Sequence, residues 1–515
     1  MGLIDKLIEN LSPRLALKRE LSRQRLSYIK ERLYDAAKSS NYHVKPTDNR
    51  SGDGVMDHAR DSIRNLARHL DENHDLAIGI LDSLVNNTVG PNGITVEPQI
   101  KTKGGKLNEK ANKEMRRAWL DWTKKAEVTQ QLPWGEVQRL ACRSWFRDGE
   151  ILVQHVLGRG SYNHPGAVPY ALELIEGDYL PFNLNQPEGP RIVHGVELNT
   201  WRQPLGYHVY MEHPNDRITF TSLYTKTKRI AAENVTHLKF VRRINQVRGV
   251  SILHGVINRL DDVKDYEESE RIAARVAAAF TGYIRKAPEM AGAADIATGD
   301  RTMTMEAGMI FDNLLPGEEV GTIDSNRPNT GLESFRDGQL RAVAAGTGLS
   351  YSSISKNYNG TYSSQRQELV ESQPSYERLR NYFINTFIDS VYDNFVTMAM
   401  ASGALNLPRN IDPATLLEYE ARGQGMTWID PKKEIEADQL AVEARFKSRN
   451  QVIRDRGGDP SVVNEQIQLE IEYDKQHGFG VSVTEQPDEA AQGTAAESGN
   501  PDGEQKDDEK SEAVA

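Results

Sequence analysis

The sequence predicts an α+β fold, mainly α-helical and divided into several domains, with one β-rich region. Three observations lead there. A proline-free run from Arg248 to Lys286 places Leu253, Val256, Ile257, Leu260 and Val263 at helical spacing. From Asp148 to Phe240 the apolar period changes to two. The stretches on either side return to helical spacing, and 515 residues are enough for about two to four domains.

Residues 3–38 read as a basic amphipathic helix interrupted at Pro13, either a solvated arm or one that touches a neighbouring subunit or nucleic acid. A polar loop follows over 39–55. Residues 56–89 form two helices, stopped by Val89-Gly90-Pro91-Asn92-Gly93. Ile94 to Ile100 alternates like a strand, a helix carries Trp119 and Trp122, and Pro133 opens another that runs through Phe146. The strand candidates are EILVQHVL (150–157), YALELIEG (170–177), RIVHGVEL (191–198), LGYHVYME (205–212), RITFTSLY (217–224) and VTHLKFVR (235–242).

The run ending at Lys286 predicts one helix capped by Ser251, with Arg285 and Lys286 suited to its negative end. At about 1.5 Å per residue, its roughly 35 residues span about 50 Å. Ile272, Val276 and Phe280 continue the apolar spacing. There are no heptad leucines, so a two-stranded coiled coil is disfavoured. An acidic block (Asp261, Asp262, Asp265, Glu267, Glu268, Glu270) precedes an alanine-rich half. A ring of identical helices would bury such a narrow stripe; a long exposed helix within one large globular enzyme is the other reading.

Beyond it, Ala287 to Gly299 reads as a loop, followed by short strands near Met303–Phe311 and Glu319–Ile323. A helix spans Gly331–Gly346. Tyr351–Ser364 is polar, aromatic and turn-like, and Gln365–Met400 is a long helix bent near Pro374. Two further helices cover Lys432–Lys447 and the segment from Asp459-Pro460 to about Gly478.

Composition narrows the function. Hydrophobic content of 38% and a mean hydropathy of −0.61 suggest an extended shape or large polar surface. The lone Cys142 allows neither an intrachain disulfide nor a thiolate metal site, and suggests a reducing compartment. No apolar run approaches membrane-spanning length, and no signal peptide is evident at the N-terminus. Residues 484–515 hold ten acids against Lys506 and Lys510, a net of −8, so −3 is left for the rest of the chain's −11. That tail is expected to be disordered. The nearly neutral body is unlike a conventional basic DNA-binding protein.

Enzyme signatures are missing. The nearest approach to a phosphate-binding loop, Gly104-Gly105-Lys106, lacks the preceding glycine, and there is no HExxH, CxxC or GxSxG. His155, His194, His208, His213 and His237 are scattered, which suits packing better than ligation. Carboxylates are plentiful without a specific pairing, so a two-carboxylate hydrolase stays open only as a second class. No cofactor or metal is expected. The best candidate is the 351–364 loop, where Lys356, Asn357, Tyr358, Asn359 and Tyr362, with Arg366 beyond, offer phosphate contacts and stacking without sequence readout. An ordinary surface loop is the bland alternative.

Several pieces, in this order, resemble the portal proteins of tailed phages, lambda-type family. They are ARDSIRNLARHLDENHDLAIGILDSLVNNTVGPNGI (59–94), SWFRDGEILV (144–153), LELIEGDYL (172–180), GVELNTWRQPLGYHV (195–209), VTHLKFVRRINQVRGVSIL (235–253), LLPGEEV (314–320), RAVAAGTGLSYSSISKNYNGTYSSQRQELVE (341–371) and WIDPKKEIEA (428–437). The resemblance covers most of residues 30–475; the acidic tail lies outside the family pattern. It implies a homo-oligomeric ring, usually a dodecamer, at one capsid vertex of the virion. Double-stranded DNA would pass through it, sequence-independently, during packaging and ejection. It further implies a separate terminase large subunit as motor, contacts with major capsid and scaffolding proteins, a head–tail connector, and assembly in the host cytoplasm. A head–tail adaptor or minor capsid protein is the nearest alternative.

By order of elements, the resemblance implies an N-terminal basic arm (1–55), a wing (56–250), a stem helix (251–286), a clip (287–330) and a second stem segment (331–347). The channel loop and long helix (348–400), a crown (401–480) and the disordered acidic tail (481–515) would follow. The six acids of the long helix would keep part of the ring surface acidic, and the loop residues would face the channel.

Overall fold

Burial of the predicted apolar faces organises the chain. The computed structural model describes Ser22 and residues 49–160, 162–187, 189–215, 226–278, 282–286, 318–322, 331–423 and 431–477. The N-terminal helix, the RITFTSLY strand, the 287–299 loop, the Met303–Phe311 strand and the acidic tail lie outside the described residues. Two compact units are present, Met1–Ile435 and Glu436–Ala515.

The first unit opens with α1 (Gly52–Asn73), whose N-cap Ser51 accepts a hydrogen bond from Gly54 N at 3.1 Å. α2 (Asp75–Thr88) buries Ile80, Leu81, Leu84 and Val85. β1 (Thr95–Pro98) follows, then α3 (Glu109–Thr123), capped by Asn108, and α4 (Trp134–Asp148). β2 (Glu150–Leu157), β3 (Tyr170–Glu176), β4 (Arg191–Val193), β5 (Val196–Leu198), β6 (Pro204–Tyr210), β7 (Thr227–Ala231) and β8 (Val235–Lys239) complete the β-rich part. A 3-10 turn (Ile252–Gly255) leads into α5 (Ile257–Ala278); β9 (Gly282–Lys286) and β10 (Glu318–Thr322) follow. Then come α6 (Leu332–Thr347), α7 (Tyr351–Ser355), α8 (Tyr362–Phe383), a π-turn (Ile384–Ile388), α9 (Asp389–Ala401) and β11 (Tyr419–Arg422). The last helices are α10 (Pro431–Glu443), α11 (Arg449–Asp455) and α12 (Pro460–His477).

The sheet order β3-β2-β8 is antiparallel throughout, and β4-β5-β6-β7 is an antiparallel meander. Strand alternation lets β2 serve two cores. Ile151 and Val153 join the main apolar cluster, whereas Leu152 faces a second one with Ile175, Val196, Tyr207, Val209 and Ile230. The main cluster is aromatic at its centre. Trp122 stacks on Tyr170 at 5.2 Å, Trp119 meets Phe395 edge-on at 4.9 Å, and Trp134 lies 5.4 Å from Phe387. It reaches from Ala67 to Ala399 and includes Leu253, Val256, Ile257 and Leu260 of the long helical run. The apolar stripe read from that run is therefore buried, Val263 included. Tyr376, Leu379, Phe383, Phe387, Val391 and Phe395 are likewise buried on one face of α8, the π-turn and α9.

Several expectations are corrected. The run to Lys286 is not one helix: the chain is again extended at Gly282, where the β-formers Tyr283 and Ile284 follow a glycine. Arg285 and Lys286 are consequently not helix-end cations; they stand at register positions opposite Glu319 and Glu318 of β10. RIVHGVEL is a hairpin rather than one strand, because His194 (φ 51°) and Gly195 (φ 79°) form its left-handed turn. The long helix after the loop is present and runs through Pro374, with a π-turn at Ile384–Ile388 that the sequence did not indicate. Thr227–Ala231, Tyr419–Arg422 and the Arg449–Asp455 helix were not foreseen.

A fully buried carboxylate ties the two sheets to the helices. Glu150, at the start of β2, has no exposed surface. Arg248 donates to it from Nη2 at 2.6 Å and from Nε to Oε2 at 3.0 Å, and Arg60 of α1 pairs with it too. Gly249 N donates at 3.0 Å and His237 Nε2 at 3.1 Å. Arg248 spends its other donors on the Leu180, His194 and Gly177 carbonyls at 3.1, 3.0 and 2.8 Å. Burial alone would raise the Glu150 pKa; Arg248 and Arg60 overcome it and hold the group well below the carboxylate range. The crossing beneath it requires glycine. Gly149 sits at φ 87°, and a Cβ on Gly249 would lie 2.0 Å from the Gly149 oxygen.

Replacing Glu150 by Gln leaves two buried guanidiniums short of their counter-charge, and is expected to cost about 3–5 kcal/mol. The same change at Glu418, whose pair with Lys101 is substantially exposed, is expected to cost under about 1 kcal/mol. Denaturant midpoints of the two variants test the difference; equal shifts would contradict the role given to Glu150. A second expectation concerns pH. Burial lowers both His155 and His237 from 6.5 to about 4. The folded chain thus binds fewer protons than the unfolded one below about pH 6.5, so their contribution is complete above that pH. It is lost as the pH falls toward 4, each histidine costing about 1.4 kcal/mol per pH unit in that window. A denaturant midpoint that stays flat from pH 6.5 to 4.5 would exclude it.

Candidate functional site

The predicted loop lies between two helices of the first unit and is more ordered locally than its composition suggests. α6 ends at Gly348 in the left-handed region (φ 76°). Ser350 then caps α7, accepting from Ser353 N at 3.2 Å, and Ile354 anchors this single turn in the main core. The turn-like reading is corrected here: five of its residues are helical, because the capping serine and one apolar anchor suffice. Lys356 (φ 55°) ends the turn. Ser355 Oγ accepts from Asn357 N at 3.2 Å, and Asn357 Oδ1 accepts from Asn359 N at 3.1 Å. Thr361 caps α8 by accepting from Ser364 N at 3.3 Å. From α8, Gln365 Nε2 donates to the Tyr358 and Gly360 carbonyls, and Glu368 Oε1 accepts from Ser352 N at 2.9 Å. The Arg341 guanidinium lies 5.3 Å from the Tyr351 ring centre.

This scaffold leaves Lys356, Tyr358, Asn359 and Arg366 exposed and Asn357 half-buried. Tyr362 is the first residue of α8; its side chain lies outside the described residues. Among the described residues Lys356 and Arg366 have no ion-pair partner. The loop thus offers two cations, an aromatic ring and amide groups without a cleft or a nucleophile–base pair.

The acidic helix packs antiparallel on α6. Arg336 Nε meets Glu267 Oε1 at 2.5 Å, Arg259 Nη1 donates to Gln339 Oε1 at 2.8 Å, and Tyr266 contacts Phe335 at 4.9 Å. The six acids do not form one free surface. Asp262, Asp265 and Glu268 are exposed, Asp261 is half-buried, and Glu267 is neutralised by Arg336. Glu270 is corrected: it is 3% exposed, because it falls on the side of the helix that the chain covers.

Of the scattered histidines, His155 bridges Tyr170 and Thr236 at 2.8 Å each, and His237 faces Glu150; both are packing groups. Glu176, Asp178 and His213 present ligand atoms within 4.8 Å of one another. Asp178 pairs with Arg64 at 3.0 Å and Arg68 at 2.6 Å, so its charge is already matched. The Arg60–Glu150–Arg248 group was missed by sequence reasoning. The available signal was a carboxylate opening an apolar strand and an arginine inside RGVSIL. No described helix is long and apolar enough to cross a membrane.

The profile of the family described as phage portal protein, lambda family, matches residues 40–380. A probable portal protein of Halomonas phage phiHAP-1 is 28% identical over 447 residues, which cover 84% of either chain. Portal protein B of Escherichia phage lambda is 21% identical over 297 residues, covering 52% of this chain and 55% of its own. Among solved structures, a chain from the virion of a native gene transfer agent particle overlaps with a TM-score of 0.42. It shares 13% identity and covers 77% of this chain and 93% of that one. A chain from the neck of the native particle computed with C12 symmetry overlaps with a TM-score of 0.39 at 12% identity, covering 78% and 94%. With two thirds of its length matched in sequence order, this chain belongs to the lambda family of phage portal proteins.

Proposed function

We propose that copies of this chain close into a ring, twelve-fold, around a channel for double-stranded DNA at one capsid vertex. There it serves genome packaging, retention and ejection as a structural part and not as an enzyme. The family match over residues 40–380 carries this reading. In the virion it would contact major capsid and scaffolding proteins and the head–tail connector, and during assembly in the host cytoplasm the terminase large subunit.

The second unit supports self-association on physical grounds. Its helices bury almost nothing themselves: Leu440, Phe446, Val462, Leu469 and Tyr473 are between 50% and 85% exposed. In the proposed arrangement residues 56–250 are the wing and α5 with α6 the stem, now ending at Ala278. The β9–β10 ribbon is the base of a clip over 287–330, where the terminase docks. Residues 348–400 carry the channel loop and the crown follows to 480.

A conduit must hold DNA without gripping it. Duplex DNA carries one charge per about 1.7 Å, so a continuous lining of cations would bind tightly by counterion release. Lys356 and Arg366, two movable cations per copy, give weak contacts independent of base sequence. Asp262, Asp265 and Glu268 add repulsion that favours sliding.

Twelve copies of 57.8 kDa give a particle of about 690 kDa, readable by analytical ultracentrifugation. The double substitution Lys356→Ala and Arg366→Ala is expected to leave that mass unchanged and to reduce DNA packaged or retained in proheads several-fold. Unchanged packaging in this variant would remove the loop from the channel.

A further inference from the structure

The near neutrality of the chain's body hides a segregated charge. Residues 101–125 hold nine Lys and Arg against Glu109, Glu114 and Asp121, a net of +6; with −11 in all, the rest of the chain carries −17. Four of the nine cations are engaged. Lys101 pairs with Glu418 at 2.6 Å, Lys124 takes Asp121 at 2.9 Å, and Lys113 and Arg116 have partners as well. Lys103, Lys106, Lys110, Arg117 and Lys125 are exposed, and among the described residues they have no ion-pair partner.

Local structure presents these five together. Lys103 and Lys106 flank the tip of a tight hairpin, in which Thr102 N donates to the Lys106 carbonyl at 2.7 Å and Gly105 N to the Thr102 carbonyl at 2.8 Å. Asn108 then caps α3, its Oδ1 accepting from Ala111 N at 3.1 Å. Asn410 fixes hairpin and helix side by side: its carbonyl accepts from Lys103 N at 3.2 Å and its Oδ1 from Asn108 Nδ2 at 3.2 Å. Ala111, Met115, Trp119 and Trp122 turn one side of α3 to the core, which leaves Lys110 and Arg117 together on the other. The hairpin tip is bare. A Cβ on Gly105 (φ 80°) would meet nothing within 4 Å, so an anion can reach the main chain there.

This surface is remote from the channel loop. Trp119 of α3 meets Phe395, and from Tyr362, where α8 begins, to Phe395 the helix runs about 50 Å at about 1.5 Å per residue.

We infer that the surface from Lys103 to Lys125 is a second contact for double-stranded DNA, separate from the channel loop, which holds the duplex by its phosphates without reading sequence. The duplex carries one charge per about 1.7 Å, and contacts to phosphate need only cations and main-chain donors that are free to meet it. The five are spread along the surface and not gathered at one point. That suits a uniform rod of charge better than the few clustered carboxylates of an acidic protein segment. This inference rests on the reading that DNA is the cargo, and adds a second place where it is held.

Covalently closed circular duplex cannot thread a closed ring, so its binding reports surfaces outside the channel. The full chain is expected to bind such circles at about 50 mM salt, each phosphate contact adding about 0.9 to the downward slope of log affinity against log salt. Lys103→Ala, Lys106→Ala, Lys110→Ala and Arg117→Ala combined should keep the circular dichroism and the sedimentation mass. They should reduce that slope by about 3–4 and weaken binding at least about tenfold. Lys103→Gln with Lys106→Gln, confined to the hairpin, should lose about half as much slope. Lys356→Ala with Arg366→Ala should leave circle binding unchanged. Circle binding that survives the four substitutions, is lost in the Lys356–Arg366 variant, or is absent from the wild type would overturn the inference and leave the ring and its channel standing. Retention of poly-glutamate in place of the circle would overturn it in favour of an acidic protein partner. The surface lies within one chain, so failure of ring closure, read from sedimentation, would reject the ring reading separately.

Discussion

Everything in the β-rich half depends on one buried charge. A carboxylate without exposed surface is costly, and attraction to its partners offsets that cost only when geometry and hydrogen bonding are complete. Glu150 meets the condition because three separate segments converge on it: Arg60 from α1, His237 from β8, and Arg248 with the Gly249 amide from the strand-to-helix connection. The exit of the chain from the sheets toward α5 is thereby set by charge as well as by apolar packing. A leucine at position 150 could fill space, but it could not give the two guanidiniums a reason to meet there.

A second polar layer repeats the device nearer the surface. Arg68 bridges Asp148 and Asp178 at 2.8 and 2.6 Å, and Arg143 and Arg147 both reach Asp71. α1, α4 and the end of β3 are thus clamped at the point where β2 begins. Two apolar clusters, one on either face of β2, complete the arrangement, so the sheet acts as a wall between the helical body and the outer meander. α5 and α6 pack on each other as an antiparallel pair through Arg336–Glu267, Arg259–Gln339 and Tyr266–Phe335.

Legibility followed the physics of each segment. Helices with a strong apolar stripe, such as the face containing Phe383, Phe387, Val391 and Phe395, were readable because burial repeats with the helical period. The strands of β2 and β3 were readable by alternation. What escaped depends on distant partners. Tyr419–Arg422 is a strand only because Thr95–Pro98 lies beside it, and Gly282–Lys286 only because Glu318–Thr322 pairs with it. The hairpin at His194-Gly195 was hidden by an unbroken β-like run. For the candidate site, position between two helices and residue types were legible, whereas burial of Glu270 and neutralisation of Glu267 were not, since both depend on which helix packs alongside. Trp201 escaped for the opposite reason: a tryptophan in sequence normally signals the interior, and this one is 89% exposed.

The pairing of Thr95–Pro98 with Tyr419–Arg422 also sets a schedule for biosynthesis. On the order of 320 residues separate the partners, which at about 5–20 residues per second is about 16–65 s of translation. For that interval an extended edge emerges from the ribosome with its lasting neighbour not yet made, the condition in which strands recruit strangers. A Pro at position 98 and a Glu at position 97 on that short edge would discourage such capture while the remainder of the polypeptide is still being delivered.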